Sequence, residues 1–434
     1  YNTYLMDKEL LEEADILWDR AEKTYKFQGR FHIYPFREGI RLVDDFNKLG
    51  EKISSPETPA SRDEALSAEL RRRLVGEAVY LDHLLSGHYY SFDDVLSLFS
   101  IDIEDIDQLR GWLVSSRDDV LETIDSVYGK TKIDDLHLRL PADIPGIRRQ
   151  AEEYASIQIG SYHQKLAGLF ADVTEVGGFL RDITSVPTNV DRSYFDPLSK
   201  TLALAISAIC FVTPDRTPQI DERELIRLFG HEGMGHGLNN VVTEASDLPS
   251  FIKRPSQTTT RATSESVGQF YERVIFDDIS RSPQTQRVLQ IAHKFDEIYQ
   301  DEMDTREITT YDRRLMHYGI AVLADKTLGD MSDYGNRREV IKRKIDVLSE
   351  VALFPGYAVS FVENTQHHFD SQGNLSFDLA KELVYAARPV ERVLELMARK
   401  GFRYDEAGRG KIDSLLLAGY WTPIGLVENA NFTT

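Results

Sequence analysis

Residues 221–240 read DERELIRLFGHEGMGHGLNN, and this stretch indicates both the fold and the chemistry of the chain. Asp221 followed three residues later by Glu224 is typical of a capped helix start, and apolar residues then recur at helical spacing. The stretch therefore predicts a helix that leads into His231, Glu232 and His236.

The rest of the chain shows the same pattern, with apolar residues three and four positions apart, which predicts amphipathic helices packed on one another. The main exception is TLALAISAICFV, residues 201–212, whose length and content of Ile, Cys, Phe and Val favour a strand. Residues 185–197 are rich in turn-forming types and predict coil. We therefore expect a mainly α fold with a central cleft and a small β element just before the helix of residues 221–240.

The chain has 434 residues and shows neither an internal repeat nor a low-complexity linker, so we expect one large helical domain over residues 1–434. This domain could divide into an N-terminal helical lobe, about residues 1–185, and a second lobe, about residues 186–434, that holds the two histidines.

The composition argues against several classes of function. With 51 Lys and Arg against 71 Asp and Glu, the net charge is −20, so we expect neither nucleic acid nor a membrane as partner. The single cysteine, Cys210, excludes thiolate-rich zinc sites. The longest nearly apolar run has 12 residues, against about 20 for a membrane span. The N-terminus shows no signal-peptide pattern, and we therefore expect a cytoplasmic protein.

His231, Glu232 and His236 spell the motif H-E-x-x-x-H. In the related H-E-x-x-H helix the two histidines lie about 40° apart around the axis, so both can bind one zinc ion. A separation of five residues would turn the second imidazole about 140° away on a regular α-helix. Gly233 and Gly235 lie between the histidines, and glycine allows a distorted turn or a π-type bulge. We predict such a distortion here, with both histidines bound to one Zn²⁺.

A catalytic zinc site needs a third protein ligand and leaves one position to water. Glu265 is our first choice, because Thr263 or Ser264 could cap a new helix and hold this carboxylate in a rigid first turn. An acidic residue in a first turn is also favoured simply by the helix dipole. Glu244 is the second choice, and Asp247 is a further candidate.

Three motifs, in this order, resemble those of the helical gluzincin-type zinc metallopeptidases. They are HEGMGH at residues 231–236, ESVGQFYE at residues 265–272 and PGYAVSF at residues 355–361. The stretch RRLMHYGI, residues 313–320, is similar to a further helix of these enzymes. The closest resemblance is to the family catalogued as domain of unknown function 885, with the carboxypeptidase Taq and thimet oligopeptidase families more distant. It covers about residues 190–400.

The chain departs from the family pattern at several positions. Met234 stands where the family has proline, and Tyr357 and Phe361 stand where it has glutamine and tyrosine. The Asp and His of another family segment are replaced by His317 and Ala321. The metal ligands therefore carry over better than the groups that would contact substrate.

The resemblance implies a metallopeptidase that binds one Zn²⁺ through His231, His236 and Glu265 and acts on peptides. Glu232 would be the general base that takes a proton from the metal-activated water and returns it to the leaving amine. The resemblance also implies that the strand of residues 201–212 lies at a sheet edge, where it could pair with an extended peptide. The alternative is that this strand is buried and purely structural.

The oxyanion of such a reaction needs a second electrophile besides the metal. Tyr357 and the neighbouring pair His317 and Tyr318 are the candidates. Two alternatives to a peptidase remain open. The chain could be a non-catalytic helical binding protein with a degenerate metal site, or a metal-dependent hydrolase of a non-peptide amide or ester.

Overall fold

The structure is a computed structural model, and the statements below concern the residues that it describes. These are residues 8–28, 36–53, 58–87, 89–99, 106–130, 138–139, 145–171, 181, 183–190, 192–212, 217–256, 258–329, 336–354, 356–370, 372–386 and 388–432.

Helices dominate the described residues, which confirms the mainly α prediction. In chain order they are α1 (Lys8–Gln28), α2 (Phe36–Lys52), α3 (Arg62–Ser86), α4 (Phe92–Phe99), α5 (Ile106–Lys130), α6 (Pro145–Ala171), α7 (Ile206–Ile209), α8 (Glu222–Leu228), a π-helix (Phe229–Leu238), α9 (Asn239–Ala245), α10 (Ser250–Lys253), α11 (Arg261–Ser280), α12 (Pro283–Leu289), α13 (Phe295–Ala324), α14 (Arg337–Ser349), α15 (Tyr357–Thr365), α16 (Phe377–Ala380), α17 (Pro389–Arg399), α18 (Arg409–Leu417) and α19 (Pro423–Asn431). Short 3₁₀ turns are formed by Lys326–Leu328, Gln366–His368 and Lys381–Ala386.

Six short strands form two small sheets. The strands are β1 (Leu138–Arg139), β2 (Thr184–Thr188), β3 (Tyr194–Asp196), β4 (Thr201–Ala205), β5 (Cys210–Val212) and β6 (Pro218–Ile220). One sheet has the antiparallel order β1-β5-β6. In the other, β4 lies between β2, which is parallel to it, and β3, which is antiparallel.

Residues 201–212, predicted as a single strand, form two short strands, β4 and β5, that belong to different sheets. Helix α7 divides this stretch, because Ile206 and Ile209 lie three residues apart and one helical turn buries both. The first half, β4, is the central strand of its sheet, so neither of its edges is open to a peptide. The predicted coil of residues 185–197 contains β2 and β3, which gain their hydrogen bonds from β4.

Two clusters of buried apolar side chains form the core. The first cluster surrounds the π-helix and draws on α1–α3, α6, α8, α11 and α17–α19. The second cluster is formed mainly by α4, α5 and α13–α16. The domain division near residue 185 stays a prediction. Among the described residues, no helix is both long and apolar enough to cross a membrane.

Candidate metal centre

The two motif histidines lie on the π-helix, as the five-residue spacing predicted. Helix α8 begins where the sequence indicated, with the Asp221 carboxylate accepting a hydrogen bond from the backbone N–H of Glu224 at 3.0 Å. The chain then passes into the π-helix Phe229–Leu238. Its i→i+5 hydrogen bonding brings residue i+5 back over residue i. As a result the Nε2 atoms of His231 and His236 are 3.2 Å apart, with the two rings nearly perpendicular at 82°.

Glycines allow α11 to pack very closely against the π-helix. Gly230 and Gly235 are also five residues apart, and both face α11. A Cβ at Gly235 would lie 2.5 Å from the Cα of Gly268, and a Cβ at Gly230 would lie 2.8 Å from the Tyr271 carbonyl oxygen. On α11, a Cβ at Gly268 would lie 2.7 Å from Cε1 of His231. Larger residues at these positions would push α11 away from the histidines.

This close packing brings side chains of α11 to both imidazoles. Glu265 and Glu272 are seven residues, or about two turns, apart and therefore share one face of α11. The Glu265 Oε2 atom is 3.5 Å from His231 Nε2, and Glu272 Oε1 is 2.6 Å from His231 Nδ1. Ser264 Oγ is 3.1 Å from His236 Nδ1.

The predicted position of Glu265 in a capped first turn was wrong. Helix α11 begins at Arg261, so Glu265 lies one turn inside it, and neither Thr263 nor Ser264 is its N-cap. Instead the Ser264 hydroxyl contacts His236. Arg261 lies one turn before Glu265, and its Nε is 4.0 Å from Glu265 Oε1.

The hydrogen bonds fix which ring nitrogen of His231 is available to a metal. Because Glu272 can only accept, Nδ1 of His231 carries the proton and, in the neutral ring, Nε2 presents a lone pair. If Ser264 accepts in the same way, Nε2 of His236 also presents a lone pair. Two lone pairs 3.2 Å apart repel unless a proton or a cation lies between them. A transition metal and a proton would therefore compete for this position.

The protonation states of the metal-free centre form a consistent set. Burial would lower the pKa of His231, but the carboxylates of Glu265 and Glu272 outweigh it and raise that pKa to about 10. Burial and the charge of His231 lower the pKa of His236 to about 4. Burial would raise the pKa of Glu265, but the hydrogen bond from His231 and the nearby positive charges lower it to about 2. Burial raises the pKa of Glu232 to about 7.

The distances fit a tetrahedral zinc site. Zinc–nitrogen bonds of 2.0–2.1 Å place neighbouring ligand atoms about 3.3–3.4 Å apart. The 3.2 Å between the two Nε2 atoms and the 3.5 Å from His231 Nε2 to Glu265 lie close to this value. Glu272 accepts a hydrogen bond from Nδ1 of His231, and zinc-binding histidines are commonly oriented by a carboxylate in this way.

Two carboxylates compete for the third ligand position. His231, Glu232 and His236 each offer a ligand atom, and these three atoms lie within 4.8 Å of one another. Glu265, the predicted ligand, approaches His231 Nε2 from α11. Glu265 Oε2 lies at a ligand-to-ligand distance from His231 Nε2, but the described group whose ligand atoms all lie within 4.8 Å of one another contains Glu232 and not Glu265. We favour Glu265 as the ligand because Glu232 is then left as a base.

The predicted second electrophiles lie on α13 and α15, two helices that contribute to the second cluster. His317 and Tyr318 lie on α13 and are only 5% and 3% exposed. Tyr357 is the first residue of α15, is partly exposed and stacks on Phe361 at 6.0 Å between ring centroids. Pro355, which precedes this helix in the motif, lies outside the described residues. The catalytic roles of these three side chains stay predictions.

Sequence reasoning missed Glu272, Ser264 and Gly268 as parts of the centre. The spacing of Glu265 and Glu272 was a usable signal, because residues seven apart share a helix face. Gly268, inside α11, was a second usable signal. Glycine in a helix interior lowers stability, so its presence there indicates close packing.

No protein-family model and no curated protein matches the sequence, and no solved structure matches the fold.

Proposed function

We propose that the protein is a zinc-dependent metallopeptidase of the gluzincin type. The main support for this proposal is that the Nε2 atoms of His231 and His236 lie only 3.2 Å apart. Nδ1 of His231 contacts the Glu272 carboxylate, and Nδ1 of His236 contacts the Ser264 hydroxyl. His231, His236 and Glu265 would hold the ion, with water in the fourth position. A zinc ion held there would act as a Lewis acid toward a carbonyl oxygen and would acidify a water molecule.

Glu232 is the general base in this proposal. It follows His231 directly in the chain, and its carboxylate lies within 4.8 Å of a ring nitrogen of each histidine. A carboxylate at that distance can accept a proton from an attacking water and then donate it to the leaving amine. Tyr357 is our candidate for stabilising the oxyanion, because it is the partly exposed member of the three predicted side chains.

The peptide would pair with β3 rather than with the predicted strand. Within the described sheet, β4 is the single pairing partner of β3, so the other side of β3 is an edge. This strand also borders the π-helix, since a Cβ at Gly237 would lie 3.3 Å from the Phe195 ring. Exposed backbone N–H and C=O groups on such an edge can bind an extended peptide.

Three matched substitutions test the assignments. Glu232→Gln should keep one zinc ion per chain and lower kcat for peptide hydrolysis by about 10²–10⁴-fold. Glu265→Gln should weaken zinc binding itself, as measured by elemental analysis after dialysis against a weak chelator. Glu244, the second-choice ligand of the sequence, is exposed on α9 and is not part of the described group formed by His231, Glu232 and His236. Glu244→Gln therefore serves as the control and should change neither quantity.

Two outcomes would contradict these assignments. If Glu232→Gln loses the zinc while Glu265→Gln retains it, then Glu232 is the ligand and the proposed base is wrong. If the purified wild-type chain takes up no zinc, the non-catalytic alternative is favoured, in which a protonated His231 bridges Glu265 and Glu272. If zinc is bound but no peptide is cleaved, a screen of amides and esters would identify the third alternative.

A further inference from the structure

A cavity of about 470 Å³, which we call the arginine cavity, lies between α8, α11, α13 and α17. Six arginines line its wall: Arg223, Arg227, Arg273, Arg306, Arg313 and Arg388. The same wall carries only four glutamates, so it holds two more positive than negative charges in a chain whose net charge is −20. The wall of the cavity is thus positively charged, although the chain as a whole is strongly negative.

Three of the four glutamates of the cavity bind its own arginines closely, and the fourth, Glu391, lies 3.8 Å from Arg388. Glu272 accepts hydrogen bonds from both His231 and Arg227, and Glu224 also binds Arg227. Glu302 is only 3% exposed and is shared between two arginines, at 3.1 Å from Arg306 and 3.9 Å from Arg223. None of these ion pairs involves Arg273.

Arg273 shows this excess most directly. Its guanidinium carbon lies 5.6 Å from the centre of the Phe270 ring, and its side chain reaches the surface of the cavity. Arg273 is exposed to solvent, and none of the ion pairs within 4.0 Å among the described residues involves it. An arginine in this situation can bind an external anion without breaking an ion pair.

We propose that the arginine cavity binds a small dianion, either a phosphate monoester or a dicarboxylate. Guanidinium groups bind phosphate and carboxylate through paired hydrogen bonds, and the cavity volume falls in the range of small-ligand sites. Three threonines of α13, among them Thr305 and Thr309, add hydroxyl groups to the wall. Phe270 and Leu394 supply apolar surface for the organic part of the ligand.

This site is separate from the metal centre and does not depend on the proposed peptidase activity. None of the proposed zinc ligands lines the cavity. Glu272 connects the two sites, and it contacts His231 through Nδ1, whereas a metal would bind through Nε2 on the other side of the ring. A dianion in the cavity would therefore lie behind His231, away from the open position of the metal.

Isothermal titration calorimetry of the full chain tests the proposal. The probes are inorganic phosphate, glycerol 3-phosphate and succinate, each at constant ionic strength against a sodium chloride blank. We expect saturable binding of at least one probe at one site per chain. Arg273→Gln should weaken it at least threefold, and Arg273→Gln with Arg306→Gln at least tenfold. Arg149→Gln on α6, an exposed arginine with only a surface ion pair, is the matched control and should bind as the wild type does.

The result that would overturn the proposal is the absence of saturable binding for all three probes. Equal binding by the double variant and the Arg149→Gln control would also overturn it. So would binding that EDTA abolishes and the arginine substitutions leave unchanged, because the anion would then be bound at the metal. Circular dichroism of each variant establishes that a loss of binding does not come from unfolding.

Discussion

Replacing Gly268 by alanine should damage the metal centre although no proposed ligand is replaced. The added Cβ would lie 2.7 Å from Cε1, 2.8 Å from Nδ1 and 2.9 Å from Nε2 of His231, so it would meet the whole edge of the ring. Carbon atoms pack without repulsion at about 3.5 Å or more, so the ring or α11 must move by about 0.8 Å. Metal–ligand distances tolerate deviations of only about 0.2 Å. We therefore expect zinc affinity to fall at least tenfold.

The same substitution has a calculable effect on stability. Overpacking at a buried site costs about 1–3 kcal/mol, whereas glycine to alanine in a helix interior gains up to about 1 kcal/mol. Gly160→Ala on α6 is the matched control, because a Cβ there has no atom within 4 Å and should give the helix gain alone. The free energy of unfolding of Gly268→Ala should thus lie about 1–3 kcal/mol below that of Gly160→Ala.

Zinc affinity and stability are each measured for Gly268→Ala and for Gly160→Ala. Competition with a fluorescent chelator gives the zinc affinity, and urea unfolding of the metal-free chains gives the free energy. If Gly268→Ala binds zinc as tightly as Gly160→Ala, then the close contact between α11 and His231 does not control the metal site.

Two further substitutions have defined outcomes. Glu272→Gln removes the charged acceptor of the His231 Nδ1–H group and should weaken zinc binding by about 10–100-fold. Glu224→Gln is its control, because it removes the other carboxylate bound to Arg227 and should leave zinc binding unchanged. Equal losses of zinc affinity in the two variants would count against the role of Glu272. Lys344→Met should lower the free energy of unfolding by at least about 2 kcal/mol, because the buried ammonium group donates to three backbone carbonyls at the end of α13, at 2.7–3.0 Å. Lys342→Met, at an exposed position on the same helix, is its control, and equal stabilities in urea unfolding would contradict the assignment.

The sequence predicted those features that depend on neighbours along the chain. The five-residue spacing of His231 and His236, with two glycines between, led directly to a distorted helix, and the structure has a π-helix there. The capped start at Asp221 and the predominance of helix have the same origin, since caps and periodicity are local.

Features that depend on tertiary packing could not be predicted in this way. Helix α7 interrupts the predicted strand because burial of Ile206 and Ile209 decides the local conformation. The contact of Gly268 with His231 requires the approach of two helices whose distance the sequence does not give. The arginine cavity gathers charges from four helices, so no short segment contains its pattern.

Anomalous diffraction at the zinc edge from crystals of the zinc-loaded protein would locate the metal and its ligands. We expect one zinc ion per chain, about 2.0–2.1 Å from Nε2 of both His231 and His236, with Glu265 as the third ligand. A zinc-loaded crystal without an anomalous peak between these two nitrogens would contradict this expectation.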